Sequence, residues 1–124
     1  MPTDEILDEA AFTGFLDSLG GDVDFLSELV EAYLTSSPDL MGSMRQAIAS
    51  GEAPALQRAA HSLKTGSASF GVLAFAAQCK ELEEFAKSGE LAGAKAKVTA
   101  LEAAYDQVAA ALQAKVDSAR SAPA

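Results

Sequence analysis

The chain has 124 residues, 49% of hydrophobic types and 22% charged, a balance that fits one globular domain and excludes a mostly disordered chain. Nine Lys and Arg against 18 Asp and Glu leave a net charge of −9, which repels a phosphate backbone and argues against a nucleic-acid partner. A single cysteine, Cys79, excludes an internal disulfide and fits a reducing, cytoplasmic compartment; a lone Cys79 with a lone His61 also excludes a His/Cys zinc site, so neither metal nor cofactor is expected.

In chain order, residues 1–7 are expected to form a flexible lead-in. Met1-Pro2-Thr3-Asp4-Glu5 is acidic where a signal peptide needs positive charge, and no apolar run approaches the ~20 residues of a membrane span. Alanine is abundant, apolar residues recur at helical spacing, and no clean strand alternation interrupts them, so the fold class is predicted all-α. A short helix is predicted over residues 8–19, with Phe12, Phe15, Leu16 and Leu19 on one face. Gly20-Gly21 ends it, and Asp22 is a good N-cap for the next.

The second helix is predicted over 23–50. Leu26, Leu29, Val30, Tyr33, Met41, Met44 and Ile48 form one stripe that keeps its phase across Pro38. A single kinked helix is favoured, since proline removes one internal hydrogen bond without always breaking a helix; two helices divided at Ser36-Ser37-Pro38 are the alternative. Ser50-Gly51 stops it, and Pro54 suits the first turn of a third helix over 54–69.

A fourth helix is predicted over 72–88, with Leu73, Phe75, Ala76, Cys79, Leu82 and Ala86 inward. The last, over 90–118, carries Leu91, Ala94, Val98, Leu101, Tyr105, Val108 and Leu112 as a heptad-like seam. Short connections between these helices imply an up-and-down bundle with one core, a domain over 8–118, and a flexible tail over 119–124.

On the third helix, Leu56, Ala59, Ala60, Leu63, Ser67 and Phe70 lie within about 40° of a common centre, and His61 lies about 150° from it. The only histidine is therefore expected on the outer face. Its helical neighbours are Gln57 four back, Lys64 three on, Thr65 four on and Ala68 seven on. Small side chains at Thr65 and Ala68 leave the imidazole open to another protein. A histidine is substantially neutral near neutral pH and can act as a nucleophile, and the Lys64 ammonium can balance phosphoryl charge. This suits covalent phosphoryl transfer. A surface histidine beside a lysine is also a common incidental arrangement. No GxxxxGK[ST] phosphate loop is present, and His61 has no second His or Cys with which to build a nucleophilic triad. By its spacing alone, the pair Glu83-Glu84 fits a solvated helix face. Cys79, on the inward face of the fourth helix, fits a small core residue, and Gly66 and Gly71 fit close helix approach and a turn.

The run Ala60-His61-Ser62-Leu63-Lys64-Thr65-Gly66-Ser67-Ala68-Ser69-Phe70-Gly71 resembles the signature of histidine-containing phosphotransfer (HPt) domains: a histidine, a leucine two on, a lysine three on, small residues, and a glycine ten on. Cys79-Lys80-Glu81-Leu82-Glu83 resembles the family's fourth helix, and the Pro38 segment after Gly20-Gly21-Asp22 its second. The likeness covers residues 8–112. It implies a four-helix bundle with a short extra amino-terminal helix. It also implies a relay in which His61 takes a phosphoryl group from an aspartyl phosphate on a response-regulator receiver domain and passes it to another, with magnesium belonging to the receiver.

The resemblance further implies that Lys64 offsets phosphoryl charge. A polar side chain 22 residues after the histidine, here Glu83, would bond the imidazole; a boundary salt-bridge residue is the other reading of Glu83. The family often has glycine directly after the lysine. Here that position is Thr65, so receiver docking over Gln57, Thr65 and Ala68, beside the second helix, is expected to be altered but not lost. The expected protein is a monomeric phosphorelay intermediate without kinase activity of its own.

Two alternatives belong to other classes. One is the phosphate-accepting domain of a chemotaxis-type histidine kinase, disfavoured by the start at Met1 and the lack of a long linker or ATP-binding segment. The other is a non-catalytic helical adaptor, against which the His61-Lys64 pair argues. The dimerising domain of a sensor kinase fits worse, since Ser62 follows the histidine where an acidic residue is wanted.

Overall fold

A computed structural model describes residues 6–121. These fold into five helices with no strand: α1 Glu9–Ser18, α2 Val23–Ala49, α3 Ala53–Ser69, α4 Leu73–Lys87 and α5 Ala94–Ser121. α2 packs on α3, α3 on α4 and α4 on α5, while α5 closes back on α2, and α1 rests against α3. Connectors as short as 50–52 and 70–72 force consecutive helices antiparallel, which makes the up-and-down bundle. No helix among the described residues is long and apolar enough to cross a membrane.

Local chemistry starts and stops α1, α2 and α3 within one residue of where the sequence places them. Asp8 accepts from the Ala11 N–H at 2.8 Å to cap α1, and Asp22 accepts from the Phe25 N–H at 3.0 Å to cap α2. Pro54 lies in the first turn of α3. At its end the Gly71 N–H donates to Ala68 O at 3.1 Å and the Val72 N–H to Ser67 O at 3.2 Å, with Gly71 at φ +85°; this pair of bonds satisfies the last carbonyls of α3.

α2 is one helix with Pro38 inside it. Proline has no N–H for the carbonyl of Leu34, four residues back. The Tyr105 hydroxyl on α5 donates to that oxygen at 3.4 Å, and at the preceding carbonyl the Ser37 hydroxyl donates to Tyr33 O at 2.6 Å. The gap that proline opens in α2 is thus covered from α5, so the bundle supports an uninterrupted helix.

The core follows the expected stripes. Leu26, Val30, Met44, Leu56, Ala60, Leu63, Cys79, Leu82, Val98, Leu101 and Leu112 are all essentially inaccessible. Edge-on aromatic contacts cross between layers: Phe15 on Phe70 at 5.4 Å and Tyr33 on Phe70 at 5.3 Å between ring centroids.

Four expectations need correcting. Leu73, placed inward, is 46% exposed: it is the first residue of α4, and the adjacent Val72, closing the Gly71 turn, takes the buried position. The lead-in is anchored at its end, since Leu7 is fully buried and the Asp8 N–H donates to Gly71 O at 2.8 Å; residues 1–5 lie outside the described residues. The last helix begins at Ala94, not near 90: residues 88–89 and 92–93 form turns, with Gly93 at φ +89°, and Ser88 Oγ accepts from the Glu90 N–H and Glu90 Oε1 from the Ala92 N–H, each at 3.4 Å. That helix also continues through Ala119–Ser121 of the expected tail, where Arg120 donates to Ser27 Oγ at 3.2 Å; residues 122–124 lie outside the described residues.

Candidate functional site

The site grows from the tight turn between α3 and α4. Two antiparallel helices bring level those residues that lie equally far from their turn. His61 is ten residues before Gly71 and Glu83 twelve after it, so the two face each other across the α3–α4 seam. His61 Nδ1 lies 2.9 Å from Glu83 Oε2. The Lys64 ammonium, one turn along α3, donates to the other carboxylate oxygen, Glu83 Oε1, at 2.7 Å.

Exposure differs sharply within this trio. The His61 side chain is 56% exposed, that of Lys64 27%, and that of Glu83 15%. Glu83 is therefore the inner member, bonded to two cation-forming side chains of α3, His61 and Lys64. The Lys64 ammonium, and to a smaller degree the His61 ring, hold its carboxyl below the usual carboxylate range, against the opposing pull of partial burial. An ionised carboxylate can only accept, so the proton of the neutral ring belongs on Nδ1 and the lone pair on Nε2. The arrangement presents a nucleophilic ring nitrogen on an exposed imidazole whose other nitrogen is tied down.

Behind the ring, α3 is fixed against α2. The Tyr33 ring lies against Gly66, where a Cβ would stand 3.4 Å from its Cδ1, and the Tyr33 hydroxyl bonds the buried Ser67 hydroxyl at 2.6 Å. Burial pushes the Tyr33 phenol far above its ordinary range, so it stays a neutral hydrogen-bonding group. Cys79 is buried beneath the seam and its thiol is pushed up to about 12 by that burial, which fits a core residue and not a reactive one.

Of the residues singled out in the sequence, His61, Lys64 and Glu83 are thus brought together. Both readings of Glu83 hold at once: it bonds the imidazole and forms a boundary ion pair. Gln57, Thr65 and Ala68 do not join the cluster. Thr65 and Ala68 are exposed on α3 and Gln57 is half-buried. The Thr65 hydroxyl donates to His61 O at 3.1 Å, so it is turned onto the helix backbone. Beside α3, an open groove of about 510 Å³ runs along α2, lined by Pro38, Asp39, Gly42, Ser43, Glu52 and Ala55 among others.

Sequence reasoning missed the Lys64–Glu83 bond and the Tyr33–Ser67 bond. The first joins residues 19 apart and the second residues 34 apart, separations at which no single-helix periodicity carries a signal. The 22-residue spacing of His61 and Glu83 was visible only as a family likeness, although the turn at Gly71 explains it.

No curated protein matches the chain. Among solved structures it is similar to the crystal structure of histidine-containing phosphotransfer protein B (HptB) from Pseudomonas aeruginosa PAO1, with 29% identity, a TM-score of 0.82, and coverage of 90% of this chain and 95% of that one. A family model described as the Hpt domain matches residues 28–111, a span that includes α3, α4 and all of the His61–Lys64–Glu83 cluster. An exposed histidine held by a neighbouring helix, in a bundle of this topology matched over most of its length, places the chain in the Hpt domain family as a histidine phosphotransfer protein.

Proposed function

We propose that the protein relays a phosphoryl group between receiver-domain aspartates through His61. The observation that carries this reading is the bond from His61 Nδ1 to Glu83, which leaves Nε2 as the nucleophile on a ring 56% exposed. In the forward step the Nε2 lone pair forms an N–P bond. The P–O bond of the receiver's aspartyl phosphate breaks, and the aspartate carboxylate leaves with the bonding pair. The ring then carries the phosphoryl group on Nε2 and a proton on Nδ1, and its positive charge lies against the Glu83 carboxylate. The reverse step, toward a second receiver, releases a neutral ring without any further proton movement at Nδ1. The receiver supplies the magnesium and the aspartate; this chain supplies an oriented acceptor and a surface.

The receiver sits across the outer face of α3, over Gln57, Thr65 and Ala68, with α2 as the neighbouring helix. Small side chains at Thr65 and Ala68 and the open α2–α3 groove support that placement. With its hydroxyl bonded to the His61 carbonyl, Thr65 adds little polar bulk beside the ring, which supports docking despite the departure from glycine. The protein works as a cytoplasmic monomer and does not phosphorylate itself.

Incubation with a receiver carrying labelled aspartyl phosphate tests the reading. Wild-type protein is expected to gain an acid-labile, base-stable label, and His61→Gln none. Labelling of His61→Gln at the wild-type level, or clear labelling of purified wild type by ATP alone, refutes the relay.

A further inference from the structure

The negative charge of this chain is not spread evenly. Residues 1–44 hold ten Asp and Glu and no Lys or Arg, whereas the remaining 80 hold nine cations against eight acids. Along α2 the acids are Asp24, Glu28, Glu31 and Asp39, all exposed, and the single cation is Arg45. Arg45 is turned to α5, where it bonds Glu102 and Thr99. Asp24 has Arg120 at 3.7 Å; among the described residues Glu28, Glu31 and Asp39 form no ion pair. Glu28 follows Asp24 by four residues and Glu31 follows Glu28 by three, spacings at which like charges repel along one helix face. The arrangement costs the isolated helix stability, and a cationic partner relieves it.

The register of α2 on α3 locates these acids relative to the ring. Tyr33 bonds Ser67 across the two antiparallel helices, so each step up α2 matches a step down α3. Asp39, six residues after Tyr33, is therefore level with His61, six before Ser67, and Glu31 is level with Ser69. At about 100° per residue, Glu28, Ala32, Asp39 and Ser43 fall within roughly 60° of one another. Asp39 and Ser43 line the groove of about 510 Å³ beside α3, with Glu52 also on its wall, so this stripe is the α3 side of α2. On α3, Arg58 is exposed three residues before His61 and pairs with none of these acids.

We propose that this face of α2 selects the receiver. Glu28, Glu31 and Asp39 steer in, and then hold, a receiver that carries a Lys- and Arg-rich patch beside its phosphorylated aspartate. This rests on the phosphotransfer reading and concerns the choice of partner, not the chemistry at the ring. Reach favours a receiver over an unrelated basic protein. A standard interface covers about 800 Å² per partner, a disc of about 16 Å radius. Glu31 is eight residues, about 12 Å of helix, from the level of the ring, and neighbouring helices are about 8–10 Å apart. A domain centred on His61 therefore covers Asp39 and Glu31 and meets Glu28 at its rim. Long-range attraction speeds the encounter with a basic surface there, and an acidic one is turned away.

The test times transfer from each phosphorylated receiver of the organism, under second-order conditions, at ionic strengths from about 0.02 M to about 0.3 M. For the receiver that transfers fastest, the second-order rate should fall by about tenfold or more across this range. The triple variant Glu28→Gln/Glu31→Gln/Asp39→Asn is expected to be about tenfold slower than wild type at low salt and within about twofold of it at high salt. Its first-order rate at saturating receiver should match wild type, because the ring is untouched. A second triple variant, Glu81→Gln/Asp106→Asn/Asp117→Asn, removes as many exposed acids from α4 and α5 and should stay within about twofold of wild type at every salt concentration. A flat salt dependence of wild type overturns the proposal, and so do equal losses in the two triple variants, which would assign the effect to net charge alone. If wild type accepts no phosphoryl group from any receiver, the relay reading fails and this partner assignment falls with it. Transfer that ignores both salt and the α2 acids refutes the selection by α2 alone and leaves the relay standing.

Discussion

Replacing Gly71 by alanine sets two separable costs against each other. The residue has φ +85°, in the left-handed region, where an L side chain costs about 1–2 kcal/mol. An added Cβ would also stand 2.9 Å from Asp8 O, 3.1 Å from Phe12 N and 3.3 Å from Ala11 Cβ, a collision with backbone that cannot rotate away. Overpacking of this kind costs about 1–3 kcal/mol. Gly71→Ala should therefore lose about 2–5 kcal/mol, the sum of the two effects. Gly89 provides the control: its φ is also +85°, and nothing lies within 4 Å of its added Cβ. Gly89→Ala should pay only the conformational cost of about 1–2 kcal/mol. Urea unfolding followed by helical circular dichroism measures both. The difference reports the docking of α1 and Leu7 onto the α3–α4 turn. If Gly71→Ala is no more destabilising than Gly89→Ala, that docking is loose and the steric reasoning is wrong. Phosphoryl acceptance should persist in the folded fraction, since His61 lies ten residues, about 15 Å of helix, from the altered turn.

Other outcomes follow from burial and exposure along α3 and α4. Ala68→Arg, on the exposed face, should abolish transfer from a receiver while changing stability by no more than about 0.5 kcal/mol; normal transfer would move the docking face elsewhere. Leu63→Ala empties a position that is 1% exposed and should cost about 2–5 kcal/mol in thermal or urea unfolding, with residual transfer by the folded fraction. The Cys79 thiol, pushed up to about 12 by burial, should resist alkylation at pH 8 in the native protein and react promptly once unfolded; rapid native labelling would show that the seam opens. Because the Glu83 carboxyl lies below its ordinary range, its contribution to stability should be present at neutral pH and lost as the solution is acidified through the carboxylate range. Glu83→Gln should flatten that part of the acid-unfolding profile.

Much of this protein could be read from its residue pattern, because the dominant signals are local. Helical periodicity placed Leu56, Ala59, Ala60, Leu63, Ser67 and Phe70 inside and His61 outside, and all seven positions are as the spacing demands. The N-caps Asp8 and Asp22 and the turn at Gly71 act within four residues of themselves, so they too are encoded where they stand. Periodicity fails where a residue sits at the end of an element: Leu73 carries the right phase, yet the turn gives its place in the core to Val72.

What the tertiary structure alone decided is which side chains meet across helices. The stripe that keeps its phase across Pro38 already favoured one helix, but the group that covers the Leu34 carbonyl left open by the proline is the Tyr105 hydroxyl, 71 residues away, a partner that no local rule could supply. Arg45 is likewise clamped to Glu102 and Thr99 across the α2–α5 seam. The site shows the same division. An exposed histidine with a lysine one turn on is a property of one helix, but the single carboxylate that binds both belongs to another. Glu83 reaches them because a tight turn folds α4 back along α3, and a hydrogen bond between helices depends on the distance in space that this turn creates, not on separation along the chain.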